Sequence, residues 1–318
     1  MKTRRLGANG PDISVVGYGA WEAGGTAWGP NESDDAVIAA MRTAIDAGID
    51  WIDTAEVYGD GESERLVGLA IAGRRDDVTI ASKVAPSDEG SGFLPEQVRA
   101  ACDATLARLG TDRLDLYQLH WPDDTGVPLE DTWGAMAQLQ DQGKARFIGV
   151  SNFSRALIER CEAIRHVDSL QQEFSMLNRS DADLVAWCGT NGTGVVSYGP
   201  LAFGLLTGAI GADTVFPPGD WRAPSDEPQD PDEVNLFSAD RFPAALEAVA
   251  AIAKVAERVG VTTAQLALAW NAAQPGVTSA IAGSRNPAHV RTNAEAGDVE
   301  LDAGTLGELE ALLASAGF

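Results

Sequence analysis

The chain has 318 residues, 45% of them hydrophobic, with 23 Lys and Arg against 47 Asp and Glu for a formal net charge of −24. At roughly 150 residues per domain that length fits two domains or one large one, and a charge of this sign repels phosphate backbones and anionic lipid surfaces, so nucleic-acid and membrane partners are not expected. No apolar run approaches the roughly 20 residues of a spanning helix, MKTRRLGANG has no apolar signal block, and Cys102, Cys161 and Cys188 are far apart, odd in number and outside CxxC spacing, so a cytoplasmic protein without a disulfide framework or a zinc site is expected.

The opening segment MKTRRLGANGPDIS turns at Asn9-Gly10-Pro11 and reads as a hairpin closing the bottom of a barrel. Short apolar or β-branched runs follow at 14–18, 48–52, 78–83, 116–120, 147–150, 169–172, 195–198 and 279–282. Between them lie amphipathic stretches with helix-end signals. Ser33 opens one that Gly48 closes, Pro95 and Gly110 bracket another, and Ser154 starts a third. Asn286-Pro287 is an N-cap with a first-turn proline, and Thr305 with Glu308 has capping-box spacing. Eight strands alternating with helices predict a single (β/α)8 TIM barrel over residues 1–318, with an N-terminal hairpin. The alternative is a doubly wound sheet open at both edges, but no GxGxxG follows any strand. Residues 207–241, rich in Pro and Asp around FPPGDWRAPSDEPQDPDE, lack periodicity and are expected to form a long mouth loop or lid after the seventh strand. Helical patterns at 242–259 and 263–273 then supply one helix more than strict alternation requires.

A barrel builds its active site at the C-terminal ends of its strands. Asp53 and Tyr58 follow the second run in IDTAEVYG, Lys83 ends the third in VTIASK, and His120 ends the fourth in LDLYQLH. Singly, each has a structural reading: a rim aromatic, a strand-end histidine, an Asp–Lys ion pair. Together they make a proton donor, because a phenol with a pKa near 10 becomes a better acid beside an ammonium, and the aspartate would hold that ammonium charged. The imidazole would hydrogen-bond a substrate oxygen or share the proton. GVSNF at 149–153 fails the GxSxG pattern, there is no HExxH, and three scattered histidines cannot form a metal cluster, so no metal is expected. Such a set suits protonation of a carbonyl oxygen, with a hydride supplied from elsewhere. Farther along, Gly283-Ser284-Arg285 leads into the helix capped by Asn286, gathering amides, a hydroxyl and a guanidinium where barrels commonly bind phosphate.

From end to end the chain resembles the aldo-keto reductase family, through WIDTAEVYG, IASKV, LDLYQLHWPD, GKARFIGVSNFS, QQEFSMLNR, VVSYGPLAFGLLTG and GSRNPAHVRTNAEA. The resemblance is closest to bacterial NADPH-dependent reductases of broad specificity for aldehydes, ketones and sugars. It implies a catalytic tetrad of Asp53, Tyr58, Lys83 and His120, with Tyr58 as general acid in reduction and general base in oxidation. It implies NADPH as cofactor, its carboxamide held by Ser151, Asn152 and Gln172 and its ring stacked on Tyr198. Leu201, Gly204, Gly283, Ser284, Arg285, His289 and Asn293 are the further cofactor contacts it implies, the last segment reading the 2′-phosphate and adenine. His289 and Thr292 depart from the family pattern there, while Asn293 fits. Trp21, Trp28 and Trp121, with Trp221 from the long loop, would wall a pocket for a small carbonyl substrate. Two rivals remain: a Schiff-base aldolase using Lys83, and a nicotinamide-binding barrel that regulates a partner protein without catalysis.

Overall fold

Thr3–Arg5 (β1) and Asp12–Ser14 (β2) pair antiparallel, with Thr3 opposite Ser14. Eight parallel strands follow: Val16–Gly19 (β3), Trp51–Asp53 (β4), Thr79–Val84 (β5), Leu114–Leu119 (β6), Ala145–Ser151 (β7), Ser169–Glu173 (β8), Gly194–Tyr198 (β9) and Val277–Ile281 (β10). They pair in chain order, and β10 pairs with β3 to close a barrel. This computed structural model describes the whole chain except residues 26, 27, 30, 32, 87–92, 124, 125, 218, 219 and 224–234. The expected run at 14–18 is two strands, because Ser14 ends the hairpin and Val16 begins the barrel.

Period-two alternation divides each strand between two cores. Trp51, Ala81, Leu116, Val196 and Ile281 point into the barrel and pack with Leu6 and Ile13 of the hairpin, which thus plugs the lower end as expected. The Trp51 indole donates to Ser14 O at 3.1 Å and to Ser279 Oγ at 3.0 Å. Gly17 makes room for it, since a Cβ there would stand 2.1 Å from the ring. The outward residues meet the helices in a second, larger core that includes Met41, Leu66, Val98, Trp133, Ile158 and Leu170. Burial of each such side chain is worth about 1.5–3 kcal/mol.

The helices are Asp34–Asp46 (α1), Glu62–Ala70 (α2), Pro95–Leu109 (α3), Leu129–Asp141 (α4), Arg155–Glu162 (α5), Ala182–Thr190 (α6), Phe242–Val259 (α7), Thr263–Ala273 (α8), Pro287–Glu295 (α9) and Ala303–Ala316 (α10). Ser33, Ser154 and Asn286 cap α1, α5 and α9 through their side-chain oxygens, as their positions predict. Thr305 is not a cap: α10 starts earlier, and Asp302 accepts the Thr305 N–H. Among the described residues, two helices follow β9 and two follow β10, so two exceed strict alternation. In the segment between β9 and α7, Ala202–Thr207 forms 3-10 turns, and the described residues from there to 241 carry only turns and bends. Of the expected loop 207–241, residues 218, 219 and 224–234 lie outside the described residues.

Among the described residues no helix is long and apolar enough to cross a membrane, and no group of His, Cys, Asp and Glu could hold a metal ion. The three cysteines are free and buried, and burial pushes each thiol up to about 12.

Candidate active site

Four side chains meet at the upper rim of the barrel. Asp53 ends β4, Tyr58 sits in the turn before α2, Lys83 lies near the end of β5, and His120 follows β6. Lys83 is fully buried, and its Nζ donates to Asp53 Oδ1 at 2.6 Å, to the Thr54 carbonyl at 2.9 Å and to the Tyr58 hydroxyl at 3.1 Å. The other Asp53 oxygen accepts from Gln171 Nε2 at 2.8 Å. The Tyr58 and His120 rings stand edge to face, 5.5 Å apart. Glycines bring the Tyr58 turn down onto the loop after β3: Gly59 has φ +65°, and a Cβ on it would lie 2.2 Å from the Gly24 carbonyl oxygen.

The charges follow from this packing. Burial alone would pull the Lys83 pKa down, but Asp53 and Tyr58 outweigh it and the net direction is up, so the ammonium is kept. For Tyr58 burial wins: it raises the phenol pKa against the opposing pull of Lys83, and Asp53 adds to the rise. The acidifying effect expected of the ammonium is thus real but smaller than desolvation. Burial, with Lys83 second, depresses the His120 imidazolium to about 2, so the ring is neutral.

Above the tetrad opens a cavity of about 770 Å³. Asp53, Tyr58 and His120 line it, with Ser151, Asn152, Gln171 and Tyr198. Leu201 and Gly204 also line it, as do Gly283, Ser284, Arg285, His289, Thr292 and Asn293. Asn152 holds φ +60°, donates to the His120 carbonyl at 3.3 Å and accepts from the Tyr198 hydroxyl at 2.9 Å. Ser284 Oγ accepts the Asn286 N–H at 3.1 Å, which fixes the turn into α9. Arg285 reaches across the mouth to the carbonyls of Trp28 at 2.8 Å and Gly29 at 3.0 Å.

With this geometry in view, the comparisons with known proteins decide the lineage. The model of the Aldo/keto reductase family matches residues 15–314. The chain belongs to that family. It is an oxidoreductase by that membership. It is 35% identical over 303 residues to the aldo-keto reductase YhdN of Bacillus subtilis (strain 168), across 93% of this chain and 88% of that protein. A glycerol dehydrogenase structure from Gluconobacter oxydans matches with a TM-score of 0.86 at 30% identity, over 99% of this chain and 95% of that one. An aldo-keto reductase from Klebsiella pneumoniae, solved in complex with NADPH, matches with a TM-score of 0.74 at 33% identity, over 98% and 95% of the two chains.

In this aldo/keto reductase the structure brings together all of the residues singled out from sequence except Gln172. That side chain donates to Asp181 Oδ2 at 2.8 Å, on the outer side of the sheet. Gln171 takes its place in the cavity because Leu170 packs outward, and a strand that alternates must then turn Gln172 outward as well. Trp21, Trp28 and Trp121 line the cavity, and Trp121 is 38% exposed. Trp221 stacks on Trp21 at 6.1 Å and meets Phe203 edge to face at 4.8 Å. Two charged residues of the lining were not anticipated: Arg222, and Glu22 in the 3-10 turn Trp21–Gly24.

Proposed function

We propose that this chain reduces small aldehydes and ketones with NADPH, using Tyr58 as the general acid. The observation that carries this reading is the buried Lys83 ammonium, bonded at once to Asp53 and to the Tyr58 hydroxyl. A dinucleotide suits the cavity, whose volume of about 770 Å³ is within the range for ligand sites. Ser151, Asn152, Gln171 and Tyr198 would hold the nicotinamide, and Ser284, Arg285 and Asn293 the phosphate and adenine end.

When bound, the reduced nicotinamide supplies a hydride. Tyr58 supplies the proton. Its raised pKa keeps the phenol protonated through the neutral range, and the carbonyl oxygen becomes a far stronger base as it takes on negative charge. The proton moves from the phenol to that oxygen, and Lys83 stabilises the phenolate left behind. Asp53, itself held by Gln171, keeps Lys83 in place. Neutral His120 adds a hydrogen bond rather than a charge.

The aldolase alternative asks Lys83 for a free lone pair and access to substrate. This amine is charged, buried and committed to three acceptors. Tyr58→Phe should cut turnover by about 10²–10⁴-fold while dinucleotide binding is kept. The check is steady-state NADPH oxidation against a panel of carbonyl compounds, with fluorescence titration of NADPH alongside, and near-normal turnover in the variant would exclude Tyr58 as the acid.

A further inference from the structure

Glu22 places a carboxylate inside the cavity. Its neighbour Trp21 stands 6.2 Å from the Tyr58 ring, while its own Oε2 lies 3.9 Å from Arg285 Nε. The acid therefore sits in the cavity wall beside Arg285. The charged and polar groups around it are Arg285 after β10 with both guanidinium and backbone N–H, Arg222 from the segment after β9, His289 on α9 and the Tyr18 hydroxyl of β3. Arg222 already has a counter-anion in Asp220, which its Nε and Nη2 reach at 2.9 and 2.6 Å, so Arg285 is the cation that Glu22 chiefly balances. A guanidinium, a second arginine, a histidine and a backbone amide form the kind of donor set that holds a phosphate. In this chain that set already faces an anion of its own.

We infer that Glu22 is a built-in counter-anion of the phosphate-binding end, which the phosphates of a dinucleotide must displace from Arg285, so that cofactor affinity depends on the charge of this one acid. The inference rests on the cofactor reading given above. Its physical basis is competition. A carboxylate that loses its cations to another anion, in a partly dry cavity, is left repelled and poorly solvated, and it relieves both by taking up a proton. Burial already pushes Glu22 above the ordinary carboxylate range, with Arg285, Arg222 and His289 pulling the other way. Dinucleotide binding engages the guanidiniums and shifts Glu22 further up, so the complex holds more protons than the free protein. By linkage, affinity rises as pH falls. The consequence for turnover is a cofactor held less tightly at neutral pH and released faster than the same cradle would allow without the acid.

The experiment is fluorescence titration of the full-length protein with NADPH and with NADH, for wild type, Glu22→Gln and Glu22→Ala, at mildly acidic and mildly alkaline pH. NADH carries no 2′-phosphate, so its series removes the titration of that group from the pH dependence. At alkaline pH both variants should bind NADPH about tenfold more tightly than wild type, the gap should narrow at acidic pH, and NADH should show the same trend. Equal affinities at both pH values, or weaker binding by the variants through loss of support for Arg285, would overturn the inference and leave the cofactor reading standing. Absence of dinucleotide binding by all three proteins, with native circular dichroism, would remove the cofactor reading and the inference with it.

Discussion

At the scale of single residues, the site works by keeping one buried base charged and another neutral within one small volume. Lys83 is charged because Asp53 and Tyr58 offset its burial, and His120 is neutral because nothing offsets its own and Lys83 stands nearby. The neutral histidine has a consequence for stability. Its folded pKa of about 2 lies below the roughly 6.5 of an unfolded chain. The unfolded state therefore binds the proton first, and this stabilising contribution is complete above about pH 6.5 and lost progressively as pH falls from there toward the folded pKa. The loss approaches about 1.4 kcal/mol per pH unit. Urea unfolding of wild type and His120→Asn between neutral pH and about pH 5 should show a shallower decline for the variant; parallel declines would mean that His120 is not buried neutral in the native protein.

Among the elements, the segment between β9 and α7 is built differently from the rest. Its described residues have no sheet ladder or α-helix to hold them, and side chains anchor it instead. Trp221 packs against Trp21, Trp28, Phe203 and Phe237, while Arg222 lies over the rings of Trp28 and Phe216 and donates to the Phe203 carbonyl at 3.0 Å. These anchors pack against Trp21, Trp28 and Phe203 of the cavity wall, so the described residues around Trp221 are proposed as a lid whose hold on a dinucleotide depends on that side chain. Each aromatic pair is worth about 0.5–1.5 kcal/mol beyond its area, so Trp221→Ala should speed NADPH release by about tenfold or more. Stopped-flow displacement measures this directly, and an unchanged release rate would leave the segment with no part in turnover. The break in the alternation after β9 was legible in the sequence because Pro and Asp interrupt an otherwise regular pattern, and the barrel strands were legible because buried parallel strands need apolar, β-branched runs. Legibility failed where two patterns compete over a shift of one or a few residues. Gln171 and Gln172 are identical in kind, and only the outward packing of Leu170 tells which one enters the barrel. Asp302-to-Thr305 and Thr305-to-Glu308 have the same spacing, and only the structure shows which one caps α10. Glu22 could not be read at all, because its meaning lies in arginines that the fold brings from the turn after β10 and the segment after β9.

Over the whole molecule, the formal charge of −24 acts on the fold as well as on the approach of an anionic cofactor. Many of the ion pairs join partly or fully exposed side chains, such as Lys2 with Glu300, Arg155 with Glu159 and Arg160 with Glu130. Exposed pairs of this kind contribute about 0–1 kcal/mol each and weaken in salt. Buried or half-buried pairs such as Arg108 with Glu64 and Arg75 with Asp115 are screened far less. Against them stands the mutual repulsion of acids that outnumber the bases 47 to 23, which opposes the compact state because folding brings these charges closer together. The Debye length falls from about 30 Å at 0.01 M salt to about 10 Å at 0.1 M, so screening removes the long-range repulsion before it weakens the contact pairs. The melting temperature of the free protein should therefore rise as sodium chloride is raised over that range. A melting temperature that falls instead would show that the surface ion pairs, not the excess of carboxylates, dominate the electrostatics of this fold.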